Sequence, residues 1–222
     1  MPRVTHWIFR ALARIVFLWT MRVEVIRSER AHRSGRYVIV CNHISHLDPV
    51  CLSVILRRRI DWMARIEFFR NPFSSWLMKS VDAFPVNRQG LALRGIRTAI
   101  ERLKQDRVVG ICPEGEVTRG MNSALRGGAV KKGALLIACR ADAPILPCVI
   151  LGTEQLDKVK TWLPFRRGKL LLICGSFIEP NASAKGTRKQ VREAMRCELQ
   201  QAFVSLYAEA RRTHGIKDEQ VP

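Results

Sequence analysis

Acidic residues are scarce in this 222-residue chain: 19 Asp and Glu face 38 Lys and Arg, a formal net charge of +19. An excess of that size implies an acidic partner, whether nucleic acid, an anionic membrane surface, or phosphorylated ligands and acidic carriers. Long apolar runs are also missing. A bilayer-spanning helix needs about 20 apolar residues, and the best stretch, "HWIFRALARIVFLWTM" at 6–21, is interrupted by Arg10 and Arg14. The same stretch lacks the small-residue cleavage site of a secretory signal. No two of the seven cysteines (41, 51, 112, 139, 148, 174 and 197) are spaced C-x-x-C, and most sit in apolar runs such as "LLIC" and "ILPC". That argues against a disulfide framework or a thiolate metal site, and for reduced thiols in a cytosolic compartment. No Pro/Gly/Ser linker, repeat or low-complexity tract divides the chain, so it suits one large domain. No G-x-S-x-G elbow marks a serine nucleophile.

What is present reads as an amphipathic start followed by alternating strands and helices. On a helix, Arg3, His6, Arg10 and Arg14 form one basic stripe, while Trp7, Phe9, Leu12, Ile15, Phe17 and Trp19 supply bulky apolar surface. That is the composition of a helix lying in a membrane interface; packing on the domain is a compatible alternative. Strand-like runs recur at 23–27, 37–41, 60–64, 83–86, 108–112, 145–151 and 169–175, several of them continuously apolar, as in a sheet covered on both faces. Residues 91–105 place Leu93, Ile96, Ile100 and Leu103 on one helical face, and 128–140 read as a second helix. A long last helix opens at Thr187, whose T-x-x-Q with Gln190 forms a capping box. Its apolar stripe is Val191, Met195, Leu199, Ala202, Phe203, Leu206 and Tyr207. The alternation predicts an α/β fold: a mixed, largely buried sheet flanked by helices, with an N-terminal amphipathic membrane-interface helix.

The densest chemistry lies in "YVIVCNHISHLDPV", residues 37–50. Asp48 before Pro49 reads as N-cap and N1 of a helix running through Leu56. His43 then falls in the turn between strand and helix, where it can fold back towards Asp48. A carboxylate on one ring nitrogen fixes the tautomer and makes the other a better proton acceptor. The ordinary imidazole pKa of ~6.5 is already near an operating pH. Three other readings stay open on these residues alone. His43, His46 and Asp48 are spaced as an H-x-x-H-x-D metal set, with only His6, His32 and His214 left to complete it. Cys41 with His43 is a thiol pair, although a strand cysteine points into the core. Asn42 and Asp48 also suit a purely structural turn.

Beyond that run, "ARIEFFRNPFSSWLMKSVDAFPVNR" (64–88), "ICPEGEVTRG" (111–120), "KKGALLIACRADAPILPCVI" (131–150) and "GTEQL" follow in order. With "NHISHLD" as an N-H-x-x-x-x-D motif, this series resembles the phospholipid/glycerol acyltransferase family, which includes the lysophosphatidate acyltransferases. The resemblance spans 23–180, with its core motifs at 37–153, leaving 1–22 as the interface helix and 181–222 as a C-terminal helix and short tail. It implies transfer of a fatty acyl group from acyl-carrier protein or acyl-CoA to a lysophospholipid hydroxyl, foremost 1-acylglycerol-3-phosphate. His43 would be the general base and Asp48 its partner, with no acyl-enzyme. Arg65 and Arg88, at the family's basic positions, would bind the acceptor phosphate, and Glu114 and Gly115 would shape its site. Asn42 and Pro147 would be structural at the motifs. The usual E-G-T-R is here "EGEVTR", so Glu116 and Val117 separate Gly115 from Thr118 and Arg119, which would reach the phosphate from a longer loop. That departure leaves another head group, such as that of lysophosphatidylethanolamine, in play. The resemblance implies no metal and no cofactor beyond the thioester co-substrate. It implies an anionic-membrane partner and peripheral attachment at the cytoplasmic face of the inner membrane. Nucleic acid is the rival reading of the charge, but the 28 Arg and 10 Lys are spread throughout and form no binding motif.

Overall fold

The computed structural model describes residues 11, 15, 21–56, 58–87, 93–157, 168–180 and 187–214. The interface helix expected over 6–21 therefore lies outside the described residues except for Ala11 and Ile15, which are helical and exposed. Arg88 lies outside them as well.

All seven apolar runs become strands: β1 (Met21–Ile26), β2 (Tyr37–Cys41), β3 (Ile60–Arg65), β4 (Phe84–Val86), β5 (Val108–Ile111), β6 (Ile145–Leu151) and β7 (Gly168–Cys174). Between them stand α1 (Asp48–Ile55), α2 (Pro72–Ser80), α3 (Leu93–Lys104), α4 (Gly133–Ala141) and α5 (Arg188–His214). The strands form one mixed sheet in the order β1-β7-β6-β2-β5-β3-β4. The five strands from β6 to β4 run parallel, whereas β7 is antiparallel to β6 and β1 follows β7. The mixed α/β architecture is thus the one expected.

Continuous apolarity in β2 follows from burial on both sides. Val38 and Val40 enter a core shared with α3, α4 and α5, while Tyr37, Ile39 and Cys41 enter a second core with α1. Full burial of a Val or Ile side chain contributes about 1.5–3 kcal/mol, so this strand is a rigid base for the residues that follow it. Gly110 on β5 makes room for an indole: a Cβ there would lie 2.5 Å from the Trp62 ring. Trp62 Nε1 in turn donates to Ser53 Oγ at 2.8 Å, tying β3 to α1.

Pro147 sits inside β6, a central strand, where a missing amide hydrogen ordinarily breaks a ladder. The amides of Ile145 and its alternate neighbours face the β7 side, where the ladder ends at Cys148 and Cys174. Pro147 falls just past that end, and its carbonyl still accepts from the Gly175 amide at 2.8 Å.

Three local features differ from expectation. Helix α2 lies within a stretch read only as a motif block, and it is capped by Asn71, whose Oδ1 accepts from the Phe73 amide at 2.8 Å. The buried face of α3 is Gly95, Ala99 and Leu103, leaving Leu93 exposed and Ile96 and Ile100 at the margin. Helix α4 starts later than residue 128 because two 3-10 turns, Gly120–Asn122 and Ala124–Arg126, pack Ala124 and Leu125 into the core first. The α5 capping box forms as expected, with the Thr187 amide donating to Gln190 Oε1 at 2.7 Å.

Candidate active site

Because β2, β3, β5 and β6 are parallel, the segments that follow them meet at one edge of the sheet. His43 follows β2, Arg65 closes β3, Cys112 to Arg119 follow β5, and Thr153 follows β6. In open α/β sheets that carboxyl edge is where ligands bind.

Asp48 is fully buried and organises the edge. Its Oδ2 accepts from His43 Nδ1 at 2.9 Å and from the amides of Ile44 and Ser45 at 2.8 and 2.9 Å. Its Oδ1 accepts from the Thr153 hydroxyl. The expected N-cap role is corrected: Leu47 occupies the cap position, and Asp48 is the first helical residue. Its carboxylate turns back onto the loop, because the amides there and the imidazole are nearer partners than the free amides of the helix.

The backbone of His43 is held on both sides. Its amide donates to Glu114 Oε2 at 2.6 Å, and its carbonyl accepts from the Thr118 amide at 2.9 Å. Asn42 bridges to β6, its Nδ2 donating to the Ile150 carbonyl at 2.9 Å and its Oδ1 accepting from the Ile150 amide at 2.8 Å. Asn42 thus replaces a backbone rung with its side chain. Bonds to charged groups contribute about 1.5–3 kcal/mol each, against about 1–2 kcal/mol to order each backbone residue. The several bonds at Asp48 and Glu114 offset the cost of fixing this short loop.

Glu114 is held by partners on two loops. It is buried, and its Oε1 accepts from Ser123 Oγ at 3.0 Å and from the Ala124 amide at 2.7 Å. With both oxygens occupied, it ties the His43 loop to the loop after β5. Burial pushes its carboxyl upward, against the lowering effect of the Ala124 amide. Thr118 likewise acts here through its amide. Gly115 has φ of +83°, and a Cβ on it would fall 2.4 Å from Lys131 Nζ; it admits both the turn and the lysine. Arg65 is exposed and pairs with Glu67 at 3.4 Å, and Arg119 is exposed on the extended loop.

The imidazole is not at its ordinary pKa. Burial alone lowers it, but the charge and hydrogen bond of Cys112, with those of Asp48, outweigh burial and push it up to about 10. Nδ1 serves Asp48, which leaves Nε2 as the ring nitrogen for an outside partner. Cys112 is displaced the other way: its bond with Cys41, opposed by burial and aided by the His43 charge, lowers its pKa below the usual thiol range. His46 is exposed and points towards Phe68, with ring centroids 6.4 Å apart. Among the described residues no group of three or more His, Cys, Asp or Glu side chains is placed to hold a metal.

Sequence reasoning therefore found the imidazole–carboxylate pair and missed Cys112, Thr153, Ser123 and Lys131. Thr153 stood inside the recognised "GTEQL", and only its place after a parallel neighbour of β2 gives it a role.

Comparison with known proteins follows the same residues. A family model described as Acyltransferase matches residues 22–151. The 1-acyl-sn-glycerol-3-phosphate acyltransferase of Bacillus subtilis (strain 168) is 33% identical over 154 residues, 69% of this chain and 72% of that protein. The enzyme of the same name from Borreliella burgdorferi is 26% identical over 157 residues, again 69% of this chain but 61% of that protein's length. The crystal structure of the 1-acyl-sn-glycerophosphate (LPA) acyltransferase PlsC from Thermotoga maritima matches with a TM-score of 0.67 at 24% identity, covering 91% of this chain and 80% of that one. At that identity the likeness speaks for the fold.

Proposed function

The chain belongs to the phospholipid/glycerol acyltransferase family, and on that premise we propose that it moves a fatty acyl group from a carrier or CoA thioester to the free hydroxyl of 1-acylglycerol-3-phosphate. The observation that carries this reading is the bond of 2.9 Å between His43 Nδ1 and a buried Asp48 at the carboxyl edge. Nε2 accepts the acceptor's hydroxyl proton as the oxygen attacks the thioester carbonyl. Asp48 compensates the imidazolium, and that proton leaves with the departing thiolate. A thioester is already activated, so alignment and proton removal suffice without an acyl-enzyme.

An imidazole pushed up to about 10 is largely protonated at neutral pH. Arg65, Arg119 and Lys131 supply cationic side chains at the same edge for the acceptor phosphate, and a guanidinium suits phosphate in two-pronged fashion. The extended "EGEVTR" loop is the feature that favours a second reading, in which the head group is another lysophospholipid's.

The lipid substrates call for a membrane surface. No described helix is long and apolar enough to cross a bilayer. Phe68, Phe73 and Trp76 are exposed large apolar side chains, with Arg65, Arg70 and Lys79 exposed around them. His46 stacks edge-on between Phe68 and His43, linking that surface to the site. This supports peripheral attachment to an anionic leaflet, joined by the basic helix expected at 6–21, on the cytoplasmic side where the thioester donors are made.

The test is acyl transfer by the purified chain, with acyl-carrier-protein and CoA donors and a panel of lysolipids, scored by product mass. Transfer to lysophosphatidate is expected, falling at least a hundredfold in His43→Ala. An undiminished rate in that variant removes the base assignment.

A further inference from the structure

The direct reaction uses one imidazole and leaves two thiols beside it without a covalent role. Cys41 closes β2, Cys112 follows the last residue of β5, and the β2–β5 register running to Val40 and Ile111 sets the two side by side. Their sulfurs lie 3.6 Å apart. A disulfide requires ~2.05 Å between sulfurs and accepts the close Cα spacing of neighbouring strands. Cys41 is fully buried and Cys112 only partly, so a reagent meets the pair from the Cys112 side. Thiols that sense oxidants are reachable, readily ionised and next to a second thiol that resolves them. Cys112 meets each condition. The other close pair, Cys148 and Cys174 at 3.8 Å, is buried throughout and fails the first.

We propose that Cys112 is a redox modification site for hydroperoxides, with Cys41 as its resolving thiol. The Cys112 thiolate attacks one peroxide oxygen, the O–O bond breaks, and the departing hydroxide or alkoxide takes a proton from the His43 imidazolium. Cys41 then displaces hydroxide from the sulfenic sulfur, and its own proton leaves with that hydroxide as water. Two thiols lose two electrons to one hydroperoxide, giving a disulfide, an alcohol or water, and a further water. Closing the bond removes the Cys112 charge that raises the His43 imidazole. Its effect on acyl transfer rests on the proposed acyltransferase reading; the modification itself does not.

The full chain, reduced and desalted, is treated with hydrogen peroxide, then unfolded, alkylated, digested and mapped by mass spectrometry. The expected product is a peptide pair joined through Cys41 and Cys112, reopened by dithiothreitol, with Cys148 and Cys174 still open to alkylation. In Cys41→Ser, dimedone is expected to capture Cys112 as its sulfenic acid; the wild-type map stands without that variant. Oxidation confined to the exposed Cys197, or equal loss of the Cys148 and Cys174 thiols, overturns the proposal. Acyl transfer is read on the same samples: a reduced chain that transfers nothing counts against the acyltransferase reading alone and leaves the peptide map to decide the disulfide.

Discussion

Each edge of the sheet buries an aspartate, and the two are kept in different ways. At the amino edge, Asp61 of β3 meets Arg107 at 2.6 Å and Arg102 at 3.4 Å, while Arg107 and Arg59 also pair with Asp82 at 3.4 and 2.6 Å. At the carboxyl edge, Asp48 meets two amides, a hydroxyl and one imidazole, with no guanidinium among these partners. Permanent cations hold the first carboxylate in place and give it nothing to do with a proton. Neutral donors and one titratable partner hold the second, so its charge acts on the imidazole. The amino edge is a fastening, and the carboxyl edge is arranged for proton transfer.

The sharpest way to break that contrast is Asp48→Asn. Asparagine keeps an oxygen for the loop amides and His43, and its amide can donate to a Thr153 hydroxyl that simply reverses its role. Geometry should survive while the charge disappears. Turnover is expected to fall about a thousandfold, the range of a lost acid–base partnership, with folding stability changed by about 1 kcal/mol. Steady-state kinetics beside a thermal melt separates the two; a collapse of the melt with normal turnover per folded molecule would make Asp48 a fastening as well.

At the other edge, Arg107→Ala should do the opposite. It leaves Asp61 with the longer contact to Arg102, and an undercompensated buried carboxylate costs about 3 kcal/mol. Turnover per folded molecule should stay within about twofold, since nothing at the carboxyl edge moves. The sign of the pH dependence follows from Asp61, whose carboxyl burial already pushes up against the pull of Arg102 and Arg107. Losing Arg107 raises it further. A raised carboxyl stabilises the fold when protonated and loses that contribution as pH rises, so the deficit should be widest at neutral pH and narrow on acidification. Urea melts at two pH values measure it.

The two edges also differ in how far the sequence reveals them. Apolar runs reveal strands because each is buried on both faces, and "NHISHLD" reveals the base because His43 and Asp48 are near in sequence. Helix α2 was hidden by its outward Phe73, 72% exposed, which blurs an amphipathic pattern. Its Asn71–Pro72 start was the available sign. Thr153 and Asp48 are 105 positions apart and Cys41 and Cys112 are 71 apart. Such pairs exist only once strand order and register are known. Cys112 in particular read as one more apolar thiol, since nothing local marks it as a neighbour of His43. Glu114 was read as shaping the acceptor site, and a motif supplies an identity without the partners of each oxygen.

Cys112→Ala gives the smallest and most discriminating change to the carboxyl edge. Cys112 is the first of the influences that raise the imidazole, and without it burial, which lowers, is opposed by Asp48 alone among the named causes. The free base should therefore form at lower pH. For a reaction that needs neutral His43, activity climbs with pH towards about 10 in the parent chain. The rising limb of the variant should move at least one unit towards acid, each unit giving about tenfold more neutral imidazole at pH 7. The measurement is kcat/KM across pH with a saturating thioester donor. A limb that stays in place would show that Asp48 alone sets the proton affinity of His43, and the thiol would then belong with the fastenings.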